Sequence, residues 1–175
     1  MTRADLTAYL AIRPEINTGD LLEWGSSTII GKAIRFVTRK DVNHDSLALR
    51  FDRFDGLLNR RFCLEALEHG IELNLLSRRL ENFKGQVYWY KLKPEYNNKR
   101  SAIAGWALKQ VGVKYDYGSL FKNLLGRVST DARRFFCSEY YFMALEAVGI
   151  LKADKAPRPG EFKAFGIHEP RVQIF

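Results

Sequence analysis

Alternating apolar and polar positions predict a set of β-strands in the first half of the chain. In residues 46–51, Leu47 and Leu49 share one face while Ser46 and Ala48 share the other, which is the two-residue period of a strand. His44, just before this stretch, lies on the face of Ser46 and Ala48. The same alternation recurs at intervals along the chain. It predicts strands at residues 21–24, 46–51, 61–66, 70–75 and 86–92, with a further edge strand at 171–175.

Helical spacing of apolar residues predicts helices on both sides of these strands. They are expected at residues 5–12, 25–40, 77–83 (capped by Ser77), 94–111, 120–125 and from about 137 to 148. Gly149 is suited to end the last helix, because glycine tolerates the left-handed backbone of a helix cap. Strands that cluster between helices favour an α+β fold in which helices pack against a central antiparallel sheet.

Length and composition predict a single domain over residues 1–175. The chain is 46% hydrophobic and 27% charged, which is ordinary for a soluble globular protein, and it contains no linker or internal repeat. The first ten residues lack the apolar core of a signal peptide. The longest apolar run, residues 140–151, is broken by Glu146 and is shorter than the roughly 20 residues that span a bilayer. A cytoplasmic location is therefore expected.

A net charge of +8 suggests an anionic partner, such as a cell-wall polymer or an acidic lipid surface. The alternative is a merely basic soluble protein, which the scattered arrangement of the basic residues favours. Tyr88, Trp89 and Tyr90 could form a stacking platform for nucleic acid, but aromatic residues in a strand more often belong to the core. Nucleic acid is therefore the least favoured partner.

Cys137 is the candidate nucleophile. The predicted helix places it in the first turn, where unpaired backbone N–H groups and the helix dipole favour a thiolate. Arg133 and Arg134 would add positive charge, and such surroundings lower the pKa of a cysteine. The alternative is a buried structural cysteine, and a disulfide with Cys63 is also open because the chain has two cysteines.

A thiol nucleophile needs a base and a group that orients the base. His44 enters a strand on a face of small residues, whereas His69 and His168 are expected to be solvated. Glu65 lies in an otherwise apolar strand, where a carboxylate must be paired. It could orient His44 or bond an arginine, and the residues alone favour neither.

Motifs for other chemistry are absent from the sequence. His44, Cys63 and His69 show none of the close spacings of zinc ligands, so neither a metal site nor a cofactor is expected. There is no phosphate-binding P-loop, no dinucleotide-binding glycine fingerprint and no GxSxG serine motif.

Five short motifs carry a family resemblance by their order. They are Gly19-Asp20-Leu21-Leu22, Asn43-His44-Asp45-Ser46-Leu47-Ala48, Cys63-Leu64-Glu65-Ala66, Lys114-Tyr115-Asp116-Tyr117 and Phe136-Cys137-Ser138-Glu139. In this order they resemble the YiiX/YebB-like branch of the NlpC superfamily, the circularly permuted papain-like amidases. The resemblance covers roughly residues 18–149 and implies a permuted papain-like fold.

By this resemblance the chain is expected to be a cysteine hydrolase that cleaves an amide or acyl ester through a thioester. Cys137 would be the nucleophile, His44 the base and Glu65 the group that orients His44. Tyr115 would lie near the site as a substrate-binding or oxyanion residue, and the N–H of Cys137 would help to hold the oxyanion. The implied substrates are cell-wall peptides or lipid-type acyl groups.

One departure from the family pattern leaves a rival function open. An apolar run usually follows the histidine, whereas here Asp45 and Ser46 follow His44. A charged residue beside the base could alter the site. The rival is a catalytically inactive basic module of the same fold that binds an anionic polymer or surface.

Overall fold

The structure is a computed structural model that describes residues 5–28, 40–67, 69–114, 129–154 and 156–175, with the backbone alone for 129–136. Six strands form one sheet in which every neighbouring pair is antiparallel. Their order across the sheet is β4-β3-β2-β1-β5-β6. The strands are β1 (Leu21–Ser26), β2 (His44–Leu49), β3 (Phe62–Leu67), β4 (Gly70–Leu75), β5 (Gly85–Tyr90) and β6 (Val172–Gln173).

Four α-helices accompany the sheet within the described ranges. They are α1 (Thr7–Ile12), α2 (Leu76–Glu81), α3 (Arg100–Leu108) and α4 (Ser129–Glu146), together with 3-10 turns at Asp55–Leu57, Pro94–Lys99 and Phe162–Phe165. The α+β class and the antiparallel sheet predicted from the sequence are confirmed. None of these helices is both long and apolar enough to cross a membrane.

Two predicted helices differ in detail and two cannot be compared. The helix expected at 94–111 is a 3-10 segment, Pro94–Lys99, that leads directly into α3. Ser77 does not cap α2, because β4 runs into the helix without a loop and Leu75 takes the cap position. The N–H of Leu76 is bonded instead to the carbonyl of Arg61, at 2.8 Å. Helix 120–125 and most of helix 25–40 lie outside the described residues.

The alternation in the sequence places one apolar cluster on each face of the sheet. On one face, Leu47, Leu49 and Leu64 pack with residues of α3 and α4. On the other face, Ala48 and Cys63 pack with residues of α1 and α2. Helices therefore cover both faces, which explains why both sides of the central strands are buried.

A buried ion pair fixes the corner that leads into β1. The carboxylate of Asp20 accepts hydrogen bonds from Arg100 Nη1 at 2.7 Å, Trp89 Nε1 at 2.8 Å, Leu92 N at 3.0 Å and Asn17 N at 2.9 Å. Asp20 is fully buried. Burial raises the pKa of Asp20, and these four donors offset part of the cost of placing its charge there.

Gly149 ends α4 as the sequence predicts. Its φ is 71°, its N–H donates to the carbonyl of Glu146 at 2.9 Å, and the N–H of Ile150 donates to Leu145 at 2.9 Å. This is the Schellman arrangement, which satisfies the last carbonyls of a helix. The end of the helix that carries Cys137 is thus fixed by the backbone itself.

Asp20→Ala is expected to reduce the free energy of unfolding by about 3–5 kcal/mol, because it leaves the Arg100 guanidinium buried without its carboxylate. Chemical denaturation measures the change. The matched control is Asp52→Ala, which removes the partner of Arg50 at the surface and should cost no more than about 1 kcal/mol. Equal losses in the two variants would contradict the role given to Asp20.

Candidate active site

His44 and Glu65 meet on one face of neighbouring strands. The register that pairs Leu47 with Leu64 sets Glu65 opposite Ser46, so His44 is a diagonal neighbour on the same face. His44 Nε2 lies 2.8 Å from Glu65 Oε2. The Glu65 side chain is fully buried, and 17% of the His44 side chain is exposed. The histidine therefore joins the buried carboxylate to the surface of the protein.

The second oxygen of Glu65 is also occupied. Oε1 accepts hydrogen bonds from Arg79 Nε at 2.9 Å, Cys63 Sγ at 3.3 Å and Asn74 Nδ2 at 3.4 Å. Burial opposes ionisation, but the hydrogen bonds and charges of His44 and Arg79 prevail and lower the pKa of Glu65 to about 2. Both roles that the sequence left open for Glu65, orienting a histidine and pairing with an arginine, thus occur together.

Cys137 reaches the same histidine from α4. Its side chain is hydrogen-bonded to that of His44, and Cys137 is 1% exposed. With Nε2 engaged by Glu65, Nδ1 is the ring nitrogen left for the thiol. Burial lowers the pKa of His44, but the charge and hydrogen bonds of Cys137 and Glu65 outweigh it and raise the pKa to about 10. This favours a charged imidazolium ring between the Cys137 side chain and the Glu65 carboxylate.

The helix around Cys137 begins earlier than the sequence analysis predicts. It starts at Ser129, so Cys137 is its ninth residue and not part of its first turn. The N–H of a ninth residue bonds to the carbonyl four residues back, so it is not available to an oxyanion. No proline or glycine interrupts residues 127–148, and Ser129, Thr130 and Asp131 are types favoured where helices begin. These three residues are the sequence signal for the start of the helix.

The remaining sequence predictions have mixed outcomes. Cys63 and Cys137 are free thiols, so no disulfide joins them. His168 is not solvated as expected, because it is 9% exposed and its Nε2 lies 2.8 Å from the Tyr141 hydroxyl. Burial lowers the pKa of His168 to about 3. Tyr115 lies outside the described residues.

Asp45 stood out in the sequence analysis, but its pairing with Glu23 on the opposite face of the sheet did not. Glu23 and Asp45 are register partners in β1 and β2, and both are fully buried. Glu23 accepts hydrogen bonds from the N–H of Gly160, at 3.1 Å, and from the Tyr90 hydroxyl. Neither oxygen of Asp45 has a hydrogen-bond partner among the described residues.

Burial, together with neighbouring negative charge, raises the pKa of both carboxyl groups, that of Asp45 the more strongly. Asp45 also lies within electrostatic range of Cys137 and His44. A carboxyl group with a raised pKa therefore adjoins the thiol–histidine pair. The sequence signal was the charged residue at a strand position between His44 and Ser46.

Within the described ranges, no three His, Cys, Asp or Glu residues are grouped so that they could hold a metal ion. The two side chains bonded to His44, those of Glu65 and Cys137, act as hydrogen-bond partners. Glu65, for example, directs both of its oxygens at donors.

Comparison with known proteins identifies a related fold. No family model and no curated protein matches the sequence. Among solved structures, the chain is similar to the metalloprotein yiiX from Escherichia coli O157:H7, with a TM-score of 0.50 and 14% sequence identity. The match covers 91% of this chain and 97% of that one. At this identity the likeness concerns the fold, which is YiiX-like.

His44 is expected to titrate with a pKa of about 10 in an NMR titration of its ring protons. Because a histidine in an unfolded chain titrates near 6.5, the charged ring stabilises the fold fully below about pH 6.5. This contribution is lost as the pH rises to about 10. Glu65→Gln should lower the pKa of His44 and flatten this loss of stability. Titration of His44 near 6.5 in the unmodified protein would contradict the ion-pair assignment.

Asp45→Asn is expected to gain stability relative to the unmodified protein as the pH rises from 4 to 8. A carboxyl group whose pKa is raised in the folded state stabilises the fold only while it keeps its proton, whereas the amide never ionises. Denaturation at the two pH values measures the change. Asp52→Asn, on the surface, serves as the control. A stability difference for Asp45→Asn that does not depend on pH would show that Asp45 is ionised in the folded protein.

Proposed function

We propose that this protein is a cysteine hydrolase, an amidase, peptidase or acyl-ester hydrolase of the permuted papain-like type, in which Cys137 is the nucleophile. The observation that carries the proposal is the position of His44. Its ring is hydrogen-bonded to the Cys137 thiol and, through Nε2, to the buried Glu65 carboxylate at 2.8 Å. Thiol catalysis requires a nucleophile that contacts a base, and a third group that orients the base.

The proposed reaction transfers an acyl group to Cys137 and then to water. The Cys137 thiolate attacks the substrate carbonyl carbon and forms a C–S bond, while the π electrons move to the carbonyl oxygen. The tetrahedral intermediate expels the amine or alcohol, which takes its proton from the His44 imidazolium. A thioester and a neutral imidazole remain.

Water resolves the thioester with the help of the same histidine. Neutral His44 accepts a proton from the water molecule as its oxygen attacks the thioester carbonyl. The carboxylic acid product leaves, and the thiolate and imidazolium are restored. Glu65 stays ionised throughout, because its pKa of about 2 lies far below neutral pH. It holds the ring orientation and stabilises its positive charge.

Activation of the thiol in this proposal depends on His44 and not on a helix start. Cys137 lies in the middle of α4, where the backbone N–H groups are used within the helix. Oxyanion donors must therefore come from groups other than the N–H of Cys137. The family resemblance offers Tyr115 for this role.

A metal-dependent mechanism is not part of the proposal. The similar protein yiiX is described as a metalloprotein, which makes a metal site the alternative to weigh against the residues of this chain. The described residues of this chain bring together no group of three suitable ligands. The hydrogen bonds of Glu65 to cationic and neutral donors also occupy the oxygens that a metal would need. These residues do not fit a metal, and no step is assigned to one.

The second candidate function is a binding module of the same fold without catalysis. Two observations favour it: the net charge of +8 and the 1% exposure of Cys137. Such a module would bind an anionic cell-wall polymer or lipid surface with an affinity that falls as salt is added. Binding of this kind without cleavage of any acyl substrate would favour the module over the hydrolase.

Cys137→Ser is expected to abolish hydrolysis of p-nitrophenyl acyl esters and peptide anilides while the fold survives. The hydroxyl replaces the nucleophilic thiolate but occupies a similar volume. Cys63→Ser is the matched control, since this second buried cysteine faces Glu65 and lies in mid-strand. Full activity of Cys137→Ser would overturn the catalytic assignment.

Alkylation of the folded, reduced protein tests the same thiol without a substrate. An ordinary thiol of pKa near 8.5 is only about 0.3% ionised at pH 6. A thiolate paired with His44 should instead react faster than a free thiol, at one site mapped to Cys137, and His44→Ala should slow this reaction. Slow labelling that does not depend on His44 would favour the binding module.

Glu65→Gln is expected to retain more hydrolytic activity than Glu65→Ala. The amide oxygen of glutamine can still accept the Nε2–H of His44, although it cannot stabilise the charged ring, whereas alanine can do neither. Values of kcat for both variants, with thermal melts to confirm folding, measure the difference. Activity in both variants equal to that of the unmodified protein would show that Glu65 has no part in catalysis.

A further inference from the structure

Arg79 is held rigidly behind the proposed catalytic group. Its guanidinium packs against two aromatic rings, 4.9 Å from the centre of Trp24 and 5.6 Å from that of Phe83. The two rings meet edge to face at 5.0 Å. The Nε of Arg79 donates to Glu65 Oε1 at 2.9 Å, and 25% of the side chain is exposed. An arginine in this setting has little rotamer freedom left to lose.

We infer that Arg79 is a positioning residue of the proposed hydrolase, which acts on His44 only through Glu65. The inference rests on the proposed function and extends it to a residue of α2. Arg79 does not touch His44. Its effect is to occupy Glu65 Oε1, so that Oε2 is the oxygen presented to His44 Nε2.

The orientation of Glu65 depends on how its carboxylate is held. The plane of a carboxylate group can rotate about the bond that carries it unless both oxygens are bound in different directions. Besides Arg79, Oε1 has the Cys63 thiol at 3.3 Å and the Asn74 amide at 3.4 Å, both neutral donors at long distance. The charged and shorter bond from Arg79 is the strongest of the three. Without it, the buried carboxylate would be restrained by His44 and two weak contacts.

The environment also explains why the residue is an arginine. A flat guanidinium can pack against Trp24 and Phe83 while its edge donates to Glu65, whereas a lysine ammonium has no planar face. Trp24 is itself fixed, because its Nε1 donates to Ser46 Oγ at 2.8 Å. Its ring centre lies 6.4 Å from that of His44. Arg79 is thus aligned by Trp24 of β1 and by Glu65 of β3.

Five variants test the inference: Arg79→Met, Arg79→Lys, Glu65→Ala, the double variant Glu65→Ala/Arg79→Met, and the control Arg78→Met. Arg78 precedes Arg79 on α2, but its side chain is 78% exposed. Arg79→Met should lower kcat by about 10–100-fold, as is typical when an orienting partner is removed. KM should change little, because Arg79 does not bind substrate. Arg79→Lys should recover part of the loss, and Arg78→Met should be neutral.

The double variant separates action through Glu65 from a general structural effect. If Arg79 acts only through the carboxylate, Arg79→Met should cause no further loss of kcat once Glu65 is alanine. A full additional loss in that background, or unchanged kcat in Arg79→Met, would overturn the inference. Thermal melts identify any variant that fails to fold, and Arg79→Lys then replaces Arg79→Met in the comparison.

A second readout does not require hydrolysis. The proton between His44 Nε2 and Glu65 should give a downfield imidazole N–H resonance in the unmodified protein and in Arg78→Met. It should disappear in Glu65→Ala and broaden or shift in Arg79→Met. An unchanged resonance in Arg79→Met would overturn the positioning role. Absence of hydrolysis in the unmodified protein, together with the expected resonances, would reject the proposed function while retaining the control of Glu65 by Arg79.

Discussion

The candidate site depends on the cost of a carboxylate that has no contact with water. Glu65 is fully buried, and a buried charge without partners would destabilise the fold by several kcal/mol. Its partners come from three other elements: His44 from β2, Asn74 from β4 and Arg79 from α2. Satisfying this one group therefore aligns two strands and a helix. The orientation of the histidine follows from the same requirement.

Carboxyl groups on the two faces of the sheet have pKa values shifted in opposite directions. Glu65 faces an arginine and a histidine and remains ionised, with a pKa of about 2. Asp45 has no cation or donor bound to its oxygens among the described residues, and burial raises its pKa well above the usual range. Environment alone thus shifts the pKa values of the two carboxyl groups in opposite directions.

Sequence alternation predicted the strands and the face that His44 shares with Ser46 and Ala48, because the two-residue period encodes which side chains of one strand lie together. The contact of His44 with Glu65 depends on the register between two strands, so alternation left it open. The sequence pattern placed the start of α4 too late, although the residue types of Ser129, Thr130 and Asp131 favour a helix start there. It also failed for His168. That residue is buried by a bridge to Leu92 and by Tyr141 from α4, contacts between distant segments that leave no local pattern.

The position of Cys137 is connected to the Gly19–Asp20 corner through α4. Tyr141 follows Cys137 by four residues, about one helical turn, so the two side chains lie on the same side of the helix. The Tyr141 hydroxyl donates to the carbonyl of Gly19 at 2.9 Å. This contact helps to fix the position of α4 along the sheet, and with it the position of Cys137 relative to His44.

The corner can accept Tyr141 only because of its own residues. Gly19 has a φ of 87°, and a Cβ atom there would lie 2.9 Å from Ile103 Cδ1, so a side chain would be strained and crowded. The next residue, Asp20, is held in place by its bond to Arg100. The Gly19-Asp20 motif thus has a structural role. It helps to set the position of Cys137, whose thiol is the reactive group in the proposed function. A substitution at this corner would affect the candidate site by shifting a helix, without touching any of the three residues proposed to act in catalysis.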